Sequence, residues 1–182
     1  MKRVYLIAGH HNNDSGAISD GYKENEWTKK VRDGIKYFLK KHYPELTVLT
    51  DDDSKTLSQV IKWIKDTEGS NSLVYDIHLN SASNNTATGV ECFIADNHSK
   101  KSELMAKGVN KVIVDITGLK DRGVKTESSS KRGTLGILHT KSPAVIIELG
   151  FINNPLDREK LTKNSGWIDE QLAHEIAKQA KS

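Results

Sequence analysis

Apolar residues recur along this chain in two alternating spacings, and the alternation predicts an α/β fold. Short apolar runs, typical of buried strands, occupy residues 4–8, 46–49, 73–77, 90–94 and 144–147. Between them, apolar residues fall every three or four positions and predict helices that begin near residues 24, 57, 104 and 168. Strands that alternate with helices favour a mostly parallel sheet with helices on both faces. No internal repeat or linker-like segment interrupts the pattern, so we expect one domain over residues 1–182.

Composition and charge narrow the class of protein. The chain is 36% hydrophobic and 28% charged, which is ordinary for a globular domain. The net charge is only +3 and the basic residues interleave with acidic ones, so we expect no nucleic-acid partner. No apolar run approaches the roughly 20 residues of a membrane-spanning helix, so we expect no membrane partner. The single cysteine, Cys92, excludes an internal disulfide and a cysteine-based zinc site.

We expect no secretory signal at the N-terminus. Its apolar stretch, residues 4–8, is shorter than the apolar core of roughly 7–15 residues that such a signal needs. We therefore expect a chain that works inside the cell, leaves it by another route, or has been trimmed.

Chemically active side chains stand where predicted strands end. His10 follows the first strand, His78 ends the third, and Glu148 follows the run 144–147. A further carboxylate, Glu24, opens the first helix. In sheets of this kind the active site lies beyond the carboxyl ends of the strands. The sequence therefore predicts that these four side chains meet.

Two histidines and one glutamate, with a fourth position left open, form a known catalytic zinc arrangement. A second carboxylate that does not bind the metal is then needed to accept a proton from water. Spacing alone leaves two alternatives open, a metal site or histidines placed near strand ends by chance, because the chain has seven histidines. Glu148 stands out on physical grounds, since a carboxylate inside an apolar run is costly unless it is paired or functional.

Five segments in order resemble one known family. They are residues 8–17 (AGHHNNDSGA), 21–24 (GYKE), 77–81 (IHLNS), 89–93 (GVECF) and 142–154 (SPAVIIELGFINN). Together they are similar to the motifs of the zinc-dependent N-acetylmuramoyl-L-alanine amidases of type 3, a family of autolysins and phage endolysins. The resemblance runs from about residue 4 to the C-terminal helix, and several ordered motifs are more specific than any one of them.

The resemblance implies a site and an activity. It implies that His10, Glu24 and His78 hold Zn²⁺ and that Glu148 is the general base. It also implies a twisted, mostly parallel sheet of about six strands. The implied reaction is hydrolysis of the amide bond between N-acetylmuramic acid and L-alanine in peptidoglycan. The chain would then act at the cell wall, as a phage endolysin released from the cytoplasm or as a trimmed domain of a secreted autolysin, either as a monomer or as the catalytic domain of a longer chain.

Some positions depart from the family or leave a choice. His11 stands where the family usually has glycine, and we expect it to be exposed or to lie beside the ligands. His139 stands where many relatives carry arginine, so it is a candidate substrate contact. Asn80, close to His78, is a second candidate substrate contact. Glu26 competes with Glu24 as the ligand, but Trp27 follows Glu24 by three residues, which is the spacing that the resemblance favours. The segments 80–88 and 126–132 are candidate walls of a groove.

Two other functions remain alternatives. A zinc peptidase or carboxypeptidase-like hydrolase would use the same ligands on a different substrate. A peptidoglycan-binding module that has lost activity would need none of the chemistry, but the retained Glu148 argues against it.

Overall fold

The computed structural model describes residues 2–130 and 132–182. Its eight strands are β1 (Arg3–Ala8), β2 (Ile18–Ser19), β3 (Tyr22–Lys23), β4 (Thr47–Thr50), β5 (Ser72–Asn80), β6 (Val90–Ile94), β7 (Asp121–Thr126) and β8 (Ala144–Phe151). Its five α-helices are α1 (Glu24–His42), α2 (Leu57–Thr67), α3 (Lys100–Thr117), α4 (Pro155–Lys163) and α5 (Ser165–Lys181). Two short 3₁₀ turns, Glu127–Ser129 and Gly136–His139, follow β7.

Six strands form one mixed sheet in the order β4-β1-β5-β8-β6-β7. The strands β4, β1, β5 and β8 are parallel, whereas β6 pairs with β8 antiparallel and with β7 parallel. Helices cover both faces, so the predicted fold class is confirmed. No described helix is long and apolar enough to cross a membrane.

The sheet has one thickly covered face and one thinly covered face. Alternate residues of each strand point to opposite faces. Val145, Ile147 and Leu149 belong to the larger core, together with α1, α3 and α5. Ala144 and Ile146 belong to the smaller core, together with α2 and the turn Gly136–His139. Because Glu148 follows this alternation, it points to the thinly covered face.

Three elements do not follow from the apolar pattern. The edge strand β7 has the sequence DRGVKT and is only partly buried, so it lacks the apolar run of a central strand. Helix α4 buries only Asp157 and Leu161, and the side chain of Asn154 caps it. The hairpin β2–β3 has two residues in each strand. Elements at the edge of a fold bury few residues and therefore leave a weak pattern.

Two strands are longer than the sequence predicts. β5 continues to Asn80 and β8 to Phe151. His78 and Glu148 therefore lie inside their strands rather than after them, and the register pairs them directly across the sheet.

Candidate metal centre and cleft

His10 lies just beyond β1 in a backbone conformation that is uncommon for a residue with a side chain, with φ at 70°. Gly9 lets it come close to His78, because a Cβ atom on Gly9 would lie 2.4 Å from Cε1 of that ring. Gly16 plays the same part on the other side. It has a φ of 65°, and a Cβ there would lie 2.5 Å from Cδ2 of His10. The glycines therefore make room for the two rings.

Glu24 is the first residue of α1 and is only 2% exposed. Backbone N–H groups hold its carboxylate, since Ala17 donates to Oε2 at 3.0 Å and Leu79 donates to Oε1 at 3.1 Å. The competing residue Glu26 points to solvent and pairs with Lys23. The helix start thus turns one glutamate inward and the other outward.

The structure brings His10, Glu24 and His78 together. One atom from each lies within 4.8 Å of the others. Nε2 of His10 is 3.1 Å from Glu24 Oε2, and Nδ1 of His78 is 3.0 Å from Glu24 Oε1. Ligands at roughly 2.1 Å from a tetrahedral zinc ion lie about 3.4 Å apart. The nitrogen and oxygen donors are of the types that zinc binds, and the two nitrogen–oxygen distances are close to this spacing.

The same three side chains shift one another's pKa values. Burial opposes the charged form of each group, but the ion pairs outweigh it. Glu24 and Asp14 raise the pKa of His10, and Asp76 and Glu24 raise that of His78 well above its usual value. The two imidazoles in turn lower the pKa of Glu24. The site thus concentrates negative charge where a cation would sit.

Glu148 stands beside this group, opposite His78 on the neighbouring strand. It is 3% exposed, and its Oε2 atom has no hydrogen-bond partner among the described residues. Burial raises its pKa to about 7, with opposing contributions from the charges of His78 and Glu24. A carboxylate with such a pKa can both accept and release a proton near neutral pH.

These groups line one cleft of about 890 Å³ on the thinly covered face of the sheet. His10, His78 and Glu148 lie along it, and His11 also lines it. Parts of both predicted walls contribute, namely Ser81, Ala82, Ser83, Ala87, Ser129, Ser130 and Arg132. Lys131, within the predicted second wall, lies outside the described residues.

Two basic residues of β7, Arg122 and Lys125, form a basic patch near Glu148. Glu91 on β6 pairs with Glu148 across the sheet and is itself buried. Arg122 Nε donates to Glu91 at 2.7 Å, and Lys125 donates to the same oxygen. Asn80 donates to the other Glu91 oxygen and lines the cleft. Two cations around one anion leave a net positive charge at this end.

His139, the other candidate substrate contact, lies apart from Asn80. It does not line the cleft but a separate pocket with Ser99 and Pro143. The turn that carries it directs its ring to Glu127, whose carboxylate lies 2.9 Å from Nε2. The structure therefore separates His139 from the candidate substrate contact Asn80.

One cleft residue, Asp76, is not predicted from the sequence. It lies on β5 two positions before His78, so both side chains share a face. Its Oδ2 atom is 3.2 Å from His78 Nε2. The sequence signal is the same as for Glu148, a carboxylate within an otherwise apolar strand.

The fold and the site define an α/β domain with a candidate hydrolytic metal centre. Comparison with known proteins makes the class specific, because the N-acetylmuramoyl-L-alanine amidase family model matches residues 4–181. The chain belongs to that family.

Individual relatives agree with this membership. The chain is 27% identical to the N-acetylmuramoyl-L-alanine amidase CwlM of Bacillus licheniformis over 92% of its length. It is also 27% identical to the endolysin of Bacillus phage SPP1 over 95% of its length. It spans 63% of each of these relatives. The solved catalytic domain of the amidase CwlV from Bacillus (Paenibacillus) polymyxa var. colistinus superposes with a TM-score of 0.79, at 27% identity and covering 98% of this chain and 96% of that domain.

Proposed function

We propose that this chain hydrolyses the amide bond between N-acetylmuramic acid and L-alanine in peptidoglycan, using zinc. The observation that carries the proposal is the convergence of His10, Glu24 and His78 beside the buried carboxylate of Glu148, with His10, His78 and Glu148 lining one open cleft. Family membership supports the choice of substrate.

In this proposal His10, Glu24 and His78 hold the metal. A zinc ion bound there would act as a Lewis acid toward the amide carbonyl and the attacking water. The three ligands would already be oriented for binding. Backbone N–H groups hold Glu24, and the backbone of Gly9 and Gly16 packs against the two histidine rings.

Glu148 handles the proton. Its ionised carboxylate accepts a proton from the attacking water and later donates it to the departing amine of L-alanine. Burial raises the pKa of Glu148 to about 7 in the metal-free chain, and this shift favours a group that both accepts and returns a proton. Its unpartnered Oε2 atom is available to a water molecule.

The cleft suits a charged polymer. Lys55, Arg122, Lys125 and Arg132 line it, and peptidoglycan stem peptides carry carboxylates. Asn80, which donates to Glu91 next to the basic patch of Arg122 and Lys125, is a candidate substrate contact. We expect the chain to act at the cell wall, as a monomer or as the catalytic domain of a longer protein, and as either an endolysin or an autolysin domain.

Mass spectrometry of digested, purified cell walls tests the proposal. An amidase releases stem peptides with a free L-alanine N-terminus and leaves intact muramic acid on the glycan. A zinc peptidase would instead release peptide fragments cut between amino acids, and an inactive binding module would release nothing.

Two perturbations should abolish release. A chelator should stop hydrolysis and added zinc should restore it. Glu148→Gln should lower the rate at least about a hundredfold, the usual contribution of a general base. Asp169→Asn is the matched control, because Asp169 is another buried carboxylate whose pKa burial raises to about 7, and it lies outside the cleft. Hydrolysis that persists in Glu148→Gln contradicts the assignment of the base.

A further inference from the structure

Both imidazoles of the candidate metal centre have a carboxylate on the nitrogen that faces away from Glu24. Nδ1 of His10 lies 2.8 Å from Asp14, and Nε2 of His78 lies 3.2 Å from Asp76. The two carboxylates differ in environment, because the side chain of Asp14 is 52% exposed and that of Asp76 only 3%.

We propose that Asp76 is a positioning residue that fixes the ring of His78 for metal binding. A carboxylate oxygen accepts hydrogen bonds, so Nε2 of His78 carries the hydrogen and donates it to Asp76. Nδ1, 3.0 Å from Glu24 Oε1, is then the nitrogen that gives up its hydrogen when a metal binds, so that its lone pair faces the position where the metal would lie. Carboxylates that hold a ligand histidine in this way set its tautomer and raise its basicity.

The geometry makes Asp76 the anchor for the orientation of this ring. The close approach of Gly9 limits where the ring can lie, because a Cβ there would lie 2.4 Å from Cε1. That contact does not decide between the two ring orientations that differ by half a turn about the Cβ–Cγ bond. A ring turned by half a turn about its Cβ–Cγ bond would present carbon atoms to both Asp76 and Glu24. Once Glu24 serves as a ligand, Asp76 is the remaining acceptor that favours the productive orientation.

A purely structural role fits Asp76 less well. Its Oδ1 atom is buried and has no hydrogen-bond partner among the described residues. Burying such an oxygen costs free energy, and among the described residues the side-chain contact that offsets this cost is the one between Oδ2 and His78. A structural role predicts that neutralising Asp76 weakens the fold. A positioning role predicts that the fold is kept while metal affinity falls.

Zinc affinity separates these roles without relying on activity. The dissociation constant of zinc for the full chain would be measured by competition with a chromophoric chelator. Asp76→Asn and Asp76→Ala should weaken binding by about 10- to 100-fold, with the larger loss in the alanine variant. Asp14→Asn should weaken it less, because water screens the exposed Asp14. Thermal unfolding of the metal-free Asp76 variants should be unchanged or occur at a higher temperature.

Several outcomes would overturn this inference. Zinc binding by Asp76→Ala within about twofold of the unmodified chain would remove the role of Asp76 in positioning the ligand. So would an equal loss in Asp169→Asn, which would show a general effect of losing a buried carboxylate. The inference rests on the proposed zinc site, and the two fail differently. If the unmodified chain does not bind zinc, the proposed function is wrong; if it binds and the variants bind equally well, only the role of Asp76 is wrong.

Discussion

The buried carboxylate of Glu148 should cost the fold stability, and the cost should grow with pH. Its pKa rises from 4.5 to about 7 on folding, mainly because burial disfavours the charged form. Below pH 4.5 the group is protonated in both states. As the pH rises further, the unfolded chain releases the proton first, so the native state loses stability until the folded carboxyl ionises near pH 7.

Replacement by glutamine removes this titration. Each pH unit between the two pKa values is worth about 1.4 kcal/mol. The electrostatic cost in the unmodified chain is then roughly 1 kcal/mol at pH 5 and roughly 3 kcal/mol at pH 8. Glu148→Gln should therefore gain about 2 kcal/mol in free energy of unfolding, relative to the unmodified chain, between those two pH values. Any packing effect of glutamine should shift the difference by a constant.

Urea unfolding of the metal-free proteins in chelator, followed by circular dichroism from pH 5 to pH 8, would measure this difference. Glu26→Gln is the matched control, since Glu26 is exposed, and its stability difference should stay near zero throughout. A gain for Glu148→Gln that does not change with pH, or a loss that grows with pH, would refute the reasoning from burial.

Three further outcomes follow from the site. Initial rates of wall hydrolysis should fall at acidic pH, because Glu148 must be ionised to accept a proton, and the charge of a bound zinc ion should hold its pKa below the value of about 7 that burial sets in the metal-free chain; a rate that rises as the pH falls would contradict its role as base. Gly16→Ala should weaken zinc binding at least about tenfold, since the new Cβ would lie 2.5 Å from His10 Cδ2. Gly21→Ala is its control, because Gly21 also has a positive φ, 82°, but has open space around it. That variant should lose about 1 kcal/mol of stability and keep the zinc affinity measured by competition with a chelator. His139→Ala should leave the hydrolysis rate unchanged, because His139 lies outside the cleft; a large loss would return it to the substrate site.

The central strands and the larger helices could be predicted because burial leaves a strong periodic pattern. The run 144–147 is apolar on both faces, as a strand covered on both sides must be. β7 could not be predicted, because an edge strand with exposed charges lacks that pattern. The antiparallel pairing of β6 with β8 is a tertiary choice that apolar spacing does not encode.

The candidate site could also be predicted only in part. The convergence of His10, His78 and Glu148 follows from their places near strand ends, and that of Glu24 from its place at the start of the first helix; the resemblance adds the choice of Glu24 over Glu26. Asp76 could not be assigned, because its significance depends on which nitrogen of His78 faces inward, and the chain order carries no such information. The pairing of His139 with Glu127, which local turn geometry sets, and its place outside the cleft could not be predicted from the sequence.

Because β6 runs antiparallel to β8, one wall of the cleft and the candidate metal ligands come from different parts of the chain. β5 ends and β6 begins at the same edge of the sheet, so the connection 81–89 crosses beside the cleft. None of the three candidate metal-binding side chains belongs to that connection. Under the proposed function, insertions or exchanges there would reshape what the cleft accepts while leaving the candidate metal centre intact, which would give evolution and engineering a route to new wall preferences.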